Sequence, residues 1–311
     1  MRDNIIAAIK PRRLRVNKVS VPAEIVIHLM VGLFSLACII PFIFIIIIAF
    51  SSAESLRTVG YSFLPTELTL TSFRAAFDMG DTLARSFFNS VYVTVVGTFF
   101  SLLITILYAY GLFRRDYPLR HFFAFFVFFT MVFGGGLVPT VIVIRNLLNL
   151  GNTMGALIVP SLVVPFHVII MRTFFRTSIP ESLIESAHID GSGEFRTLFS
   201  IVVPLAKPGI ATVGLLTAIG YWNDWQLALL FIRSRELFPL QYLLMEMQQN
   251  IEFLRRNLTM IGTASGINLA DLPGEGLRMA LAVIIVLPIA CAYPFFQRYI
   301  ISGLTVGAVK E

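Results

Sequence analysis

Six long apolar runs dominate this chain of 311 residues. They cover residues 25–50, 87–113, 121–144, 153–171, 205–232 and 279–301. Each run is close to the ~20 residues that an α-helix needs to cross the ~30 Å hydrocarbon core of a bilayer. Only 14% of the residues are charged, whereas water-soluble domains carry about 25%. The sequence therefore predicts an all-α polytopic membrane protein with six transmembrane helices.

The basic residues indicate how these helices are oriented. If the N-terminus is cytoplasmic, 15 of the 24 Lys and Arg residues fall on the cytoplasmic side, as the positive-inside rule requires. We therefore expect both termini in the cytoplasm. The expected segments are a basic N-terminal segment (1–24), a first span (25–50), an extracytoplasmic loop (51–86), a core of helices two to six (87–301) and a tail (302–311).

Within the core, residues 172–207 are expected to form a cytoplasmic loop and residues 233–277 an extracytoplasmic loop. The run 25–50 is interpreted as a retained span and not as a signal peptide. It is 26 residues long and lacks a cleavage site of small residues. The excess of positive charge follows from this membrane orientation, so no nucleic-acid partner is expected.

Motifs of catalysis or cofactor binding are not found in the sequence. It contains neither the Gly-rich phosphate-binding loop of ATPases nor the common zinc-protease and hydrolase motifs. The four histidines lie in separate segments, and both cysteines lie inside apolar runs. We therefore expect no metal site, no disulfide framework and no cofactor bound by this chain.

A glycine cluster interrupts the third apolar run. Gly134, Gly135 and Gly136 are followed by Pro139, a combination that breaks regular helices. At membrane depth such a break is tolerated where neighbouring helices or a water-filled cavity satisfy the freed backbone groups. Alternatively, the glycines allow close packing of helices. The sequence leaves both interpretations open.

The loop 172–207 contains the most distinctive motif of the chain. Apolar spacing predicts two short helices joined at Gly191 and Gly193, the second with Phe195 and Phe199 on its apolar face. Asp190 is expected to cap the second helix through its side-chain oxygen. An alternative role for Asp190 is contact with a partner protein.

This motif resembles the cytoplasmic "EAA" loop of ATP-binding-cassette (ABC) importer permeases. The resemblance rests on Glu185, Ala187, the Asp190–Gly191 pair and Pro204, with Ser186 where alanine is usual. The C-terminal stretch 303–310 resembles that of the second permease class of maltose-type sugar importers. Within that class, the stretches 222–225, 240–243 and 272–280 are similar to the branch that handles oligosaccharides and polysaccharide fragments. The resemblance implies a type I importer fold. It also implies that an ATPase subunit docks on the residues Glu185, Ser186, Ala187, Asp190 and Gly191.

A polar and aromatic stretch interrupts the fifth run, and it provides the candidate sugar path: Tyr221, Trp222, Asn223, Asp224 and Trp225. Aromatic faces stack on sugar rings, and the polar groups can bind hydroxyls. An acid at the bilayer centre costs roughly 2.5–3.5 kcal/mol, so Asp224 should face protein, a cavity or the outer interface. The alternative interpretation is an aromatic belt at that interface.

The sequence thus predicts a non-catalytic permease subunit of an ABC importer in the bacterial cytoplasmic (inner) membrane. The implied partners are a second permease subunit, two ATPase subunits that hold ATP and Mg²⁺, an extracytoplasmic sugar-binding protein, an oligosaccharide and membrane lipid. One alternative is an ion-coupled secondary transporter with Asp224 as the ion or proton site. Another is a membrane enzyme that acts on lipid-linked sugar through Glu181, Glu185 and Asp190.

Overall fold

The computed structural model describes residues 20–265 and 274–308. Within these ranges the chain is helical, and its one β-type contact is an isolated antiparallel bridge between Ser51 and Leu68. The prediction of an all-α protein is therefore confirmed. Most of the expected N-terminal segment 1–24 and the end of the tail 302–311 lie outside the described residues.

Fifteen α-helices occur in these two ranges. The first eight are α1 (Val21–Ala49), α2 (Ala53–Thr58), α3 (Thr71–Asp78), α4 (Asp81–Phe113), α5 (Arg120–Val132), α6 (Leu137–Ile142), α7 (Gly155–Ile158) and α8 (Pro165–Ser178). The others are α9 (Glu181–Ile189), α10 (Glu194–Thr197), α11 (Val203–Leu205), α12 (Lys207–Asn223), α13 (Gln226–Phe231), α14 (Leu240–Ser265) and α15 (Glu275–Ala308).

The membrane spans are of two kinds. In the described residues, α1, α4 and α15 are each long and apolar enough to cross a bilayer as one helix. Three further candidates are pairs of helical segments that bend sharply: Arg120–Val132 with Leu137–Leu147, Gly155–Ser161 with Pro165–Ser178, and Glu194–Leu205 with Lys207–Asn223. If each bent pair forms one span, the total is six, which is the predicted number.

The third run, 121–144, is broken where the glycines lie. Helix α5 ends at Val132, and the next helical segment turns by 114°. Gly136 has a φ angle of +81°, a conformation that glycine adopts without steric cost. A Cβ atom on any of the three glycines would have no atom within 4 Å. Within the described chain, these glycines therefore permit a sharp turn of the backbone and not the close packing of helices.

Several predicted boundaries differ from the structure. The loop expected at residues 172–207 begins inside α8, which ends at Ser178. Helix α4 begins at Asp81 rather than at residue 87, so the expected loop 51–86 holds α2, α3 and the start of α4. The run 205–232 is not one helix, since α12 ends at Asn223 and α13 follows. The expected loop 233–277 contains the 26-residue helix α14, and its residues 266–273 lie outside the described ranges.

The first turns of α4 lie against protein. Leu83 is buried in a cluster with two leucines of α14, and Arg85 lies 3.7 Å from Glu236. In the third turn, the Asn89 side chain donates to the Glu236 carbonyl oxygen at 2.7 Å, and the Ser90 hydroxyl accepts the N–H of the first residue of α14 at 2.8 Å. Residues 81–86 carry two charges, so a search for apolar runs misses them.

Helix α12 lies at the centre of the bundle, where it packs against both α4 and α15. Helix α4 also packs against α8. A buried cluster joins α8 to the helices that follow it, and it includes Met171 and Phe175 together with Ile184, Leu198 and Val202. These apolar contacts fix α9 and the segment after α10 to one end of the bundle, which we call the α9 end.

Helix α1 stands apart from this bundle. Only Ile48 and Ala49, at its C-terminal end, are buried, and its neighbour in the bundle is α15. Along most of its length the apolar side chains are exposed. A helix satisfies its own backbone hydrogen bonds, so such an apolar surface is stable in contact with lipid.

Candidate functional site

The predicted motif forms a helix, a tight turn and a second helical segment at the α9 end. Helix α9 ends with the Gly191 N–H bonded to the His188 carbonyl and the Ser192 N–H bonded to the Ala187 carbonyl, both at 2.9 Å. Gly191 has a φ angle of +76°. This pair of bonds, with a left-handed glycine, is the Schellman motif that ends many helices. It explains why glycine follows Asp190.

The prediction that Asp190 caps the second helix is wrong. Asp190 is the C-terminal cap residue of α9, whereas Gly193 occupies the N-cap position of α10, and no side chain caps that helix. An N-cap residue must directly precede its helix, and the Schellman turn separates Asp190 from Glu194. The Asp190 side chain is exposed.

Helix α9 has one buried face and one exposed face. Ile184 and Ala187 are buried in the bundle, while Glu185 and Ser186 are exposed. Glu185 and Ser186 therefore remain accessible to a partner, and Ala187 contributes packing. A shallow groove of about 350 Å³ runs along this surface and is lined by Leu183, Ser186, Ala187, Asp190, Ser192, Arg196, Ser200 and Ile201.

Two large apolar side chains that flank the Gly191 turn are exposed. Ile189 is 86% exposed and Phe195 is 73% exposed. Phe195 was predicted on an apolar face, whereas no role was predicted for Ile189. The exposure of Ile189 could be predicted from helical spacing, because Ile184 and Ala187 define the buried face of α9 and Ile189 lies outside that face. Both side chains are thus free of cover within the described part of the chain.

A polar cluster centred on Glu194 links the motif to the end of α4. The Tyr110 hydroxyl donates to one Glu194 oxygen at 2.5 Å, and Arg114 lies 3.1 Å from the other. His188 Nε2 is 3.3 Å from the same oxygen as Arg114. Arg114 also pairs with Asp116 at 3.0 Å. Sequence reasoning missed Glu194, since only the fold brings it to the end of α4.

A second ion pair holds the start of α9. The Arg115 Nε atom lies 3.0 Å from a Glu181 oxygen, and both side chains are largely solvent-exposed. Such exposed pairs contribute up to about 1 kcal/mol. Glu181 also occupies the first turn of its helix, where the helix dipole favours a carboxylate. The buried apolar cluster therefore contributes most of the free energy that holds α9 to the bundle, and the ion pairs orient the helix.

Tyr221 and Trp222 are buried at the other end of α12. The Tyr221 hydroxyl donates to the Ile158 carbonyl at 2.9 Å, and the Trp222 indole N–H donates to the Ile285 carbonyl at 3.2 Å. The Trp222 ring also meets the Phe87 ring edge to face. In this conformation both side chains connect α12 to neighbouring helices, and their polar atoms already have partners.

The remaining three residues of the aromatic stretch are more accessible. Asn223 is exposed, and its oxygen accepts a hydrogen bond from Gln241 at 3.1 Å. Asp224 precedes Trp225, the residue at the N-cap position of α13, and its carboxylate accepts the Leu227 N–H of the first helical turn at 3.0 Å. Trp225 is partly exposed.

The cavity beside Asp224 measures about 10 Å³, which is room for about one water molecule. A saccharide therefore does not fit beside Asp224 in this conformation.

The two sets of predicted residues do not form one site. They lie at opposite ends of α12, a helix of 17 residues that is roughly 25 Å long at 1.5 Å per residue. In the described part of the chain, no group of three His, Cys, Asp or Glu side chains could hold a metal ion. The geometry thus offers an exposed helix–turn–helix element at one end of the bundle and an exposed amide at the other.

Comparisons with known proteins agree with this arrangement. The chain is 36% identical to the polygalacturonan/rhamnogalacturonan transport system permease protein YtcP of Bacillus subtilis, over 89% of this chain and 94% of that protein. It is 30% identical to the arabinooligosaccharides transport system permease protein AraQ of Halalkalibacterium halodurans, over 88% and 91% of the two chains.

A solved structure has a similar fold. A crystal structure of a bacterial ABC transporter involved in the import of the acidic polysaccharide alginate contains a similar chain. The TM-score is 0.76 and the identity is 29%, and the match covers 89% of this chain and 96% of that one. The resemblance to ABC importer permeases is therefore confirmed at the level of the fold.

A family model covers most of the same region. It describes the inner membrane component of binding-protein-dependent transport systems and matches residues 101–306. The matched region includes the motif at the α9 end, the aromatic stretch and four of the six candidate spans in full. The chain therefore belongs to the family of inner membrane components of binding-protein-dependent transport systems.

Proposed function

We propose that this chain is a permease subunit that moves an oligosaccharide or a polysaccharide fragment through the membrane, driven by separate ATPase subunits. The names of its relatives support a saccharide substrate, since they refer to polygalacturonan, rhamnogalacturonan and arabinooligosaccharides. The observation that carries the proposal is the docking element at the α9 end, which projects a carboxylate and two exposed apolar side chains around a fixed glycine turn.

The ATPase subunit docks on the exposed surface of this element. Glu185 and Ser186 supply polar contacts, and Ile189 and Phe195 supply the apolar area that an interface buries. Gly191 has no atom within 4 Å of a Cβ position, so a partner can approach the backbone closely there. Two ATPase subunits hold the ATP and Mg²⁺, because this chain has no phosphate-binding loop.

Movement of the ATPase subunits is transmitted to the helix bundle through two kinds of contact. Ile184 and Ala187 of α9 are buried at its base, so a displacement of α9 pushes on the helices beneath it. The cluster of Glu194, Tyr110 and Arg114 ties the second segment to α4. Rigid packed contacts of this kind transmit hinge and shear motions. ATP-driven closure thereby rocks the bundle between inward-open and outward-open states.

This function implies an orientation of the chain in the membrane. The α9 end faces the cytoplasm, where ATP is available, and both termini are cytoplasmic. The end of α12 with Asn223 faces outward, where an extracytoplasmic sugar-binding protein delivers the substrate. A second permease subunit completes the translocation path as a heterodimer. Asn223 and Gln241 present exposed amide groups on that side, and such groups donate to and accept from sugar hydroxyls.

The test is a Glu185→Ala variant of the tagged chain, purified from its native membrane in mild detergent. We expect fewer ATPase subunits to co-purify, and less ATP hydrolysis in response to sugar, while the chain itself is inserted normally. The matched control is Glu67→Ala, since Glu67 is an exposed carboxylate at the opposite end of the bundle. Full retention of the ATPase and unchanged transport by Glu185→Ala would remove the docking role of Glu185.

A further inference from the structure

A histidine lies where α8 packs against α12. His167 is in the first turn of α8, and its Nδ1 atom is 3.1 Å from the hydroxyl oxygen of Thr217 on α12. At 1.5 Å per residue, His167 is roughly 16 Å from Ser178, where this candidate span ends. This distance is about half of the ~30 Å hydrocarbon core. Ionisable side chains at such a depth usually face protein or a water-filled cavity.

Thr217 determines which ring nitrogen of His167 carries the proton. The Thr217 hydroxyl has a single hydrogen, which it donates to the Val213 carbonyl oxygen at 2.8 Å. The Thr217 oxygen therefore accepts the hydrogen bond from His167, and the Nδ1 atom donates it. In the neutral ring the lone pair then lies on Nε2, so Nε2 is a hydrogen-bond acceptor.

The Nε2 atom has no hydrogen-bond partner within the described part of the chain. The His167 side chain is partly exposed, and Nε2 is not among the buried unpaired atoms of the described residues. Lipid hydrocarbon offers no donor, so an acceptor that faced lipid would remain unsatisfied at a cost in free energy. The Nε2 atom is therefore suited to a donor that belongs to another molecule.

An open surface of α12 connects His167 to the outer end of that helix. Gly220 lies three residues from both Thr217 and Asn223, and residues at this spacing are neighbours on a helix surface. Gly220 is exposed, and a Cβ atom there would have no atom within 4 Å. Asn223, at the end of α12, is exposed as well. An accessible surface with polar groups at both ends therefore runs from Asn223 to the depth of His167.

We propose that His167 contacts the saccharide during translocation and accepts a hydrogen bond from a sugar hydroxyl at Nε2. This inference rests on the proposed function, which brings the saccharide to the Asn223 end of α12. Hydroxyl groups are donors, and the bond from Nδ1 to Thr217 holds the ring in position. A group that is already held in position loses little conformational freedom when it binds a ligand. The polar atoms of Tyr221 and Trp222, in contrast, are bonded within the chain.

The test compares two variants of His167 in the purified complex, reconstituted in proteoliposomes. An asparagine amide reaches the position of Nδ1 and keeps the contact with Thr217, whereas a glutamine amide reaches the position of Nε2 and loses that contact. The probe is labelled oligogalacturonate or arabinooligosaccharide, whichever the native complex takes up. We expect His167→Asn to raise the KM for uptake roughly 3- to 10-fold, the factor for one lost hydrogen bond. His167→Gln should raise it less.

A purely structural role of His167 predicts the opposite order, because only His167→Asn keeps the bond to Thr217. The proposal is overturned unless His167→Asn raises the KM more than His167→Gln does. The matched control is His28→Asn, since His28 lies on α1 and its Nδ1 contacts the Glu24 carbonyl of the same helix. This control should leave the KM unchanged.

Two further measurements separate the remaining outcomes. Loss of the companion permease from complexes of His167→Asn would assign Nε2 to that subunit and overturn the sugar contact. Gly220→Leu places a side chain in open space, so we expect slower uptake at unchanged thermal stability, and unchanged uptake would also overturn the proposal. If the native complex takes up neither saccharide with ATP, the proposed function itself fails.

Discussion

The contact between Gly97 of α4 and Tyr221 of α12 allows a quantitative test of the packing at the centre of the bundle. A Cβ atom added to Gly97 would lie 2.7 Å from Cζ of Tyr221 and 2.8 Å from both Cε atoms. Ordinary contacts between carbon atoms are about 3.5–4.0 Å. The substitution Gly97→Ala therefore forces the ring to retreat by roughly 1 Å, away from its hydrogen bond to the Ile158 carbonyl.

Three contributions set the size of the effect on the free energy of unfolding. Overpacking in a filled core costs about 1–3 kcal/mol, and the weakened hydrogen bond costs about 1 kcal/mol. Alanine is favoured over glycine inside a helix by up to about 1 kcal/mol. We therefore expect Gly97→Ala to lower the free energy of unfolding by about 1–3 kcal/mol.

Gly111 provides the matched control on the same helix, because a Cβ atom there has no atom within 4 Å. Gly111→Ala should leave the free energy of unfolding unchanged or raise it by up to about 1 kcal/mol. The assay is equilibrium unfolding of both variants in mixed detergent micelles. In the background of Tyr221→Ala, which opens space, adding Gly97→Ala should cost little. Equal stability of Gly97→Ala and Gly111→Ala would refute the predicted clash.

Two further predictions concern polar groups. Glu194→Gln removes the charge that faces Arg114, so we expect less sugar transported per ATP hydrolysed while the ATPase still co-purifies. An unchanged ratio of sugar to ATP would contradict the linking role of Glu194. Asp224→Ala removes the acceptor for the Leu227 N–H, which should lower the free energy of unfolding by about 1 kcal/mol. Asp224→Asn keeps an accepting oxygen and should be nearly neutral in the same unfolding assay, and equal loss in both variants would count against a stabilising role of this hydrogen bond.

Composition and spacing predict the features that depend on short stretches of sequence. The six apolar runs predict six spans because a bilayer demands a fixed length of apolar helix. The turn between α9 and α10 follows from Gly191, which adopts a positive φ at no steric cost. Even here the capping role predicted for Asp190 was wrong, since the turn places Gly193 and not Asp190 directly before α10.

The remaining features depend on contacts between distant segments. The start of α4 at Asp81 depends on distant contacts, since Leu83 packs with leucines of α14 and Arg85 lies near Glu236. Tyr221 and Trp222 have the chemistry of sugar-binding residues, yet the fold directs their polar atoms to backbone carbonyls of other helices. The role of Glu194 exists only once α10 meets α4. Such pairings have no signature in the local sequence.

ATP-dependent uptake of a saccharide by the reconstituted complex tests the central claim most directly. The complex that co-purifies with this chain is placed in proteoliposomes, with ATP inside and a sugar-binding protein and labelled oligogalacturonate or arabinooligosaccharide outside. The account predicts uptake that requires ATP and that falls when Glu185→Ala replaces the native chain. Uptake by this chain alone, driven by an ion gradient without ATP or an ATPase, would contradict it.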